Sequence, residues 1–272
     1  MASPPVTILS ESRLDRTWAA LRQEGRAALI PYLTAGHPDL EASAAMLHAA
    51  DEISDIIEVG VPFTDPLADG PVIQRSTLTA LQQGMTLART FELIERVSPR
   101  RDVVIFSYLN PILQYGIEHF LTDAEALGIA GVLLTDLPAG ADPDIEAAVR
   151  ESSLDLIRLI APTTTDARLA EAVHGAGGFL YLVARLGVTG ASARLSTDLR
   201  AQVERVRRVS PLPVAVGFGI STPEQARAVA GMAQGVVVGS ALVDMLDREG
   251  PAAAAALLTR LRHALDPHAV AS

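Results

Sequence analysis

The chain contains no cysteine and no lysine. Without cysteine there are no disulfides, thiolate nucleophiles, iron–sulfur clusters or Cys-ligated zinc sites. Without lysine, the 22 Lys+Arg positions are all arginine. No side-chain amine can therefore form a Schiff base with a carbonyl substrate, hold pyridoxal phosphate or serve as a Walker-type phosphate ligand. Strong positive charge is missing too: the net charge is −10 and the pI about 5.0, the wrong sign for a nucleic-acid binder. No apolar run approaches the ~18 residues of a membrane span. Residues 1–10 show no basic stretch leading into an apolar one, so a cytoplasmic protein without a signal peptide is expected. Chemistry must come from carboxylates, histidines, hydroxyls, arginines or backbone dipoles.

What is present is alternation. Short β-branched runs, apolar on both faces, occur at Ala28–Thr34, Ile56–Val59, Val103–Ser107, Gly131–Leu134, Leu154–Ile160, Phe179–Ala184, Val214–Gly217 and Val236–Gly239. Such runs predict strands buried on both sides. Helical patterns separate them at Leu40–Glu52, Val72–Gln83, Leu87–Val97, Ile117–Leu127, Asp142–Ser152, Asp166–Ala176, Leu199–Val209, Pro223–Ala230 and Ala252–Leu265, with an extra helix at Ser10–Glu24. Eight strand–helix units predict an α/β fold, a (β/α)8 TIM barrel, ahead of an open doubly wound sheet. No linker or charge block divides the chain, so residues 1–272 are read as one domain. Arg205, Arg207 and Arg208 fall on a helical pattern and read as a solvated face.

In such a barrel the active site lies at the C-terminal ends of the strands. Glu58 sits inside an otherwise apolar second strand. Burying its charge would cost several kcal/mol, which raises its pKa and suits a general acid/base. An ion-paired structural glutamate is the alternative. The following segment, residues 62–71, is too rich in proline, glycine and acids for helix or strand, and long βα loops tend to carry function. Within it Asp69 could accept a hydrogen bond from a substrate N–H, or simply cap a turn. Glycine-rich segments follow three late strands, at 187–190 (including Thr189 and Gly190), 217–220 (Phe218, Gly219) and 239–240 (Gly239, Ser240). Together they read as a phosphate cradle of backbone N–H groups, which needs no lysine. Tyr32, Phe106, Tyr108, Tyr181 and Phe218 stand at strand ends, where they could line an apolar pocket. The six histidines show no metal-binding spacing, and Trp18 reads as helix packing.

The run Glu58-Val59-Gly60-Val61-Pro62-Phe63-Thr64-Asp65-Pro66-Leu67-Ala68-Asp69-Gly70-Pro71 resembles the signature of the tryptophan synthase alpha chain family. The resemblance continues through Ile73-Gln74, Asn110-Pro111, Asp136-Leu137-Pro138, Arg185 to Gly190, Gly217 to Ile220 and Gly239-Ser240. It implies a lyase that splits indole-3-glycerol phosphate into indole and glyceraldehyde 3-phosphate. By that resemblance Glu58 is the acid/base and Asp69 holds the indole N–H. Tyr32, Ile73, Phe106 and Tyr181 match substrate-side positions, and Thr189, Gly190, Phe218, Gly219, Gly239 and Ser240 match the phosphate side. The chain itself would need no cofactor or metal. Asp65, Asn110 and Pro138 match positions facing a beta chain that carries pyridoxal phosphate, in an alpha2beta2 heterotetramer. Thr64, Ala184 and Thr135 depart from the pattern: Thr64 keeps a hydroxyl where serine is common, Ala184 loses one, and Thr135 adds one beside the pocket.

Overall fold

Strands that are apolar on both faces need cover on both, and a closed parallel barrel wrapped in helices provides it. The computed structural model describes residues 11–183, 192–217 and 219–266. Its strands are β1 (Ala28–Thr34), β2 (Ile56–Gly60), β3 (Asp102–Ser107), β4 (Gly131–Leu134), β5 (Asp155–Ile160), β6 (Leu180–Val183), β7 (Val214–Gly217) and β8 (Gly235–Val238). They pair in sequence order, each parallel to the next, and β8 closes on β1. The helices described are α1 (Arg13–Glu24), α2 (Leu40–Ile53), α3 (Pro71–Gln82), α4 (Leu87–Val97), α5 (Leu109–Tyr115), α6 (Ile117–Ala126), α7 (Pro143–Glu151), α8 (Asp166–His174), α9 (Ser192–Val209), α10 (Pro223–Ala230), α11 (Ser240–Glu249) and α12 (Pro251–Leu265). None of those described is long and apolar enough to cross a membrane.

Several expectations need correction. The eighth strand lies one residue earlier than expected, and Gly239 belongs to the cap of α11 instead. The helix expected from Leu199 starts at Ser192. Two helices, α5 and α11, were not anticipated. Pro111 falls in the first turn of α5, where its missing N–H does little harm. The Asp136 carboxylate accepts the Leu109 N–H at 2.7 Å and caps that turn. In α11 the anchor is Leu242, Val243 and Leu246, all buried. Arg205 also departs from the solvated face: it turns back onto Asp166 at 2.7 Å.

Period-two alternation divides the core. Leu29, Leu33, Ile57, Val59, Val103 and Ile105 face the helices, whereas Ile30, Ile56, Val104, Leu133, Ile157, Tyr181 and Val237 fill the barrel. Helix α1 closes the N-terminal mouth. Its Trp18 packs edge-on against Phe179 at 5.7 Å, and Arg13 and Thr17 both bind Asp102, at 3.0 and 2.6 Å.

The same alternation turns Arg158 of β5 outward, where it is buried against α7. Its Nη2 lies 2.6 Å from Glu146 Oε2, and its Nη1 donates to the Leu137 carbonyl at 3.1 Å. Glu146 accepts the Gly140 N–H at 2.8 Å. Arg158→Leu, which strands the buried Glu146 charge, should destabilise the fold by about 3–5 kcal/mol. Adding Glu146→Leu should recover most of that loss. Urea unfolding of both variants checks this, and equal stability of the two would contradict a paired role.

Candidate active site

The pleat places Glu58 on the inner face of β2, in register with Tyr32 of β1 and Val104 of β3. It is fully buried. Neither carboxylate oxygen has a hydrogen-bond partner among the described residues. An ion-paired structural glutamate would need such a partner, and none of the described residues supplies it. With nothing to offset it, burial alone pushes the Glu58 carboxyl from an ordinary 4.5 up to about 8. The group is therefore a neutral acid at pH 7.

Two tyrosines sit over this interior, and glycines make room for them. A Cβ at Gly60 would collide with the hydroxyl end of Tyr32, and one at Gly217 with that of Tyr181. Gly217 thus makes room for a ring. Tyr32 packs edge-on to Phe106 at 5.1 Å. Tyr32, Ile73 and Val243 form a small apolar cluster above the barrel.

A cavity of about 470 Å³ opens at the C-terminal end of the strands, a size that suits a small-molecule ligand. Tyr32, Ile73, Phe106 and Tyr181 supply its apolar lining, and Asp69, Gly219, Gly239 and Ser240 its polar side. Glu58 lies below this lining and is not part of it. Asp69 is half-buried. Desolvation raises its carboxyl to about 6, and a hydrogen bond from Tyr108 limits the rise. Tyr108 also accepts the Ala68 N–H at 2.9 Å, while Gln74 Nε2 donates to the Asp69 carbonyl at 3.0 Å. These contacts fix the loop carrying Asp69 from two sides. Tyr108 was foreseen only as a pocket aromatic; its grip on this loop has no sequence signal.

Across the cavity, α11 begins at Ser240 with no side-chain cap. Its first backbone N–H groups have no acceptor within the helix, and the helix dipole adds positive potential there. Gly219, with φ +80, lies on the same wall. This end of the cavity offers main-chain donors of the kind that suit an anion. Thr189, Gly190, Phe218 and Ala184 lie outside the described residues. Thr64 donates to Asp65 at 2.6 Å, and Thr135 to the Ser107 carbonyl at 3.4 Å. Asp65, Asn110 and Pro138 are all exposed. They follow β2, β3 and β4, which are adjacent in the barrel. Among the described residues no group of three or more His, Asp or Glu is placed to hold a metal. Arg75, Asp244 and Arg248 also line the cavity and were not anticipated. The latter two stand on the unforeseen α11.

The family model described as tryptophan synthase alpha chain matches residues 18–268. The tryptophan synthase alpha chain of Acidiphilium cryptum is 46% identical over 239 residues, covering 86% of this chain and 87% of the relative. That of Granulibacter bethesdensis is 44% identical, covering 86% of each. Among solved structures, a chain of tryptophan synthase from Mycobacterium tuberculosis superposes with a TM-score of 0.87 at 40% identity, covering 94% of this chain and 99% of that one. Tryptophan synthase subunit alpha from Legionella pneumophila gives 0.86 at 34% identity, covering 94% and 98%.

The raised carboxyl of Glu58 sets a stability signature. Unfolded, it ionises near 4.5; folded, near 8. Between these values the folded chain holds the extra proton, so stability falls as pH rises through the window, by up to about 1.4 kcal/mol per pH unit, and levels off above it. Glu58→Gln removes this term. Its stability relative to the parent should grow from pH 4.5 to pH 8 in urea unfolding; a pH-independent difference would refute the buried, unpaired acid.

Proposed function

The chain belongs to the tryptophan synthase alpha chain family and is an indole-3-glycerol-phosphate lyase of the alpha reaction; on that premise we propose that Glu58 and Asp69 are its acid–base pair. The observation that carries this reading is the buried, unpartnered Glu58 carboxyl, neutral at pH 7, beneath a cavity whose wall holds a second carboxyl. The two groups suit opposite tasks.

The bond to be broken joins indole C3 to the glycerol carbon that bears a hydroxyl. An aldol cleavage needs an electron sink, and this lysine-free chain has no amine to supply one. Protonating indole C3 makes the ring that sink. Glu58 swings out from beneath the rings and gives its proton to C3, and Asp69 accepts the ring N–H and stabilises the positive charge of the indolenine. The Glu58 carboxylate then takes the hydroxyl proton. The C–C pair returns to the ring, indole leaves, and the carbonyl of glyceraldehyde 3-phosphate forms. Glu58 ends protonated, ready for the next turnover. Tyr32, Ile73, Phe106 and Tyr181 hold the indole and exclude water. Gly219, Gly239 and Ser240 seat the phosphate on backbone amides, and Thr189, Gly190 and Phe218 complete that side by their motif positions.

The family implies a beta-chain partner. We place it on the face carrying Asp65, Asn110 and Pro138, in an alpha2beta2 assembly whose pyridoxal phosphate belongs to the beta chain. We read residues 1–272 as one barrel domain working in the cytoplasm.

Glu58→Gln should lower indole release by about 10²–10⁴-fold with an unchanged circular dichroism spectrum; loss of about tenfold or less would remove Glu58 from this role. Asp69→Asn should lower kcat/KM severely while inhibition by glycerol 3-phosphate changes little. Equal loss of both would make Asp69 a structural loop residue. The kcat/KM profile should be bell-shaped, rising as Asp69 ionises near pH 6 and falling as Glu58 loses its proton near pH 8. Whatever activity Asp69→Asn retains should lack the lower limb, and its persistence would assign that limb to the substrate.

A further inference from the structure

The acid–base chemistry leaves three charged residues on the cavity wall unused. Arg75 of α3 and Arg248 of α11 stand on either side of Asp244, also on α11. Arg75 Nη2 lies 3.6 Å from Asp244 Oδ1, and Arg248 Nε lies 3.2 Å from Oδ2. The arginine side chains are 57% and 71% exposed, so these pairs contribute little to stability. Among the described residues neither pair has hydrogen-bond geometry. Arg75 otherwise donates only to the Pro71 carbonyl, at 3.4 Å. Both guanidinium groups therefore keep most of their donors free. Asp244 is one helical turn beyond Ser240, and both cations line the same cavity as the start of α11.

We propose that Arg75 and Arg248 form a positive rim that captures the substrate phosphate and delivers it to the α11 N-terminus, with Asp244 as their resting counterion. This rests on the phosphate seat described above. A chain of charge −10 repels a phosphate dianion at long range, but within a Debye length of about 10 Å two arginines outweigh the average field. On arrival the phosphate replaces Asp244 as their partner. Guanidinium binds phosphate through paired, charge-assisted hydrogen bonds that the Asp244 contacts do not make. The main chain holds the phosphate in place; the arginines raise its capture.

The test compares Arg75→Gln/Arg248→Gln and Asp244→Asn with the parent, measuring kcat and KM for indole-3-glycerol phosphate and inhibition by glycerol 3-phosphate and by indole. The double variant should raise KM and the glycerol 3-phosphate inhibition constant about tenfold, equivalent to about 1.4 kcal/mol, with far less change in kcat and none in inhibition by indole. Its kcat/KM should also lose most of its dependence on salt. Asp244→Asn should move both phosphate-dependent constants the opposite way, by about twofold to threefold, since it removes a competing anion. An unchanged KM in the double variant, an equal shift for indole, or weaker phosphate binding in Asp244→Asn would overturn the proposal. If glycerol 3-phosphate fails to inhibit the parent, the phosphate seat itself fails.

Discussion

The site depends on one costly placement: a carboxyl inside a parallel barrel, with no partner among the described residues. Ionised, Glu58 would cost several kcal/mol at that position. The fold meets the cost by keeping the group protonated, so what is buried at neutral pH is a polar but uncharged acid. Among the described residues no arginine pairs with it. A cation there would stabilise the carboxylate and remove the proton that the proposed reaction needs. The large apolar core, divided between the barrel interior and the helix–sheet layer, makes one unsatisfied side chain tolerable.

Other features follow from that placement. Keeping water from Glu58 requires bulky cover at the next level of the barrel, and Tyr32 and Tyr181 supply it. Their rings need room, so β2 and β7 end in Gly60 and Gly217, where any side chain would strike a hydroxyl. The second carboxyl cannot share this interior without the two groups contesting one proton. Asp69 instead stands on the loop after β2, steadied by Tyr108, which follows β3, and by Gln74 from α3.

Much of this was legible in the sequence because buried strands and a carboxylate among β-branched residues are strong, local signals. β1 runs from Ala28 to Thr34 as expected, and Glu58 faces inward because its neighbours Ile57 and Val59 alternate outward. The failures share a cause. Asn110-Pro111 and Gly239-Ser240 carry turn residues at helix starts, where turn and cap chemistry are the same, so α5 and α11 were missed. Missing α11 hid Asp244 and Arg248, which reach the cavity only because that helix packs against α3. Gly217 is ambiguous in sequence for a related reason: a glycine reports that something comes close, without saying whether it is a phosphate or a tyrosine. The partners of Tyr108 are invisible for the same reason, being distant in sequence.

Two carboxyls of similar intrinsic acidity end up in opposite states at neutral pH, and the surroundings of each account for it. Burial raises both. Glu58 has no hydrogen bond to moderate the effect and rises to about 8. Asp69 is partly open to the cavity and receives the Tyr108 hydroxyl, which favours its ionised form and holds it near 6. The interval between these values contains neutral pH, where one group can give a proton while the other holds a positive charge. A barrel without lysine has no Schiff-base route to an aldol cleavage, so in the proposed mechanism this interval carries the chemistry. Moving Asp69 deeper would close it from below, and letting water or a cation reach Glu58 would close it from above. The exposed loop position of the first and the sealed strand position of the second are therefore a single requirement, met at two depths of the same barrel mouth.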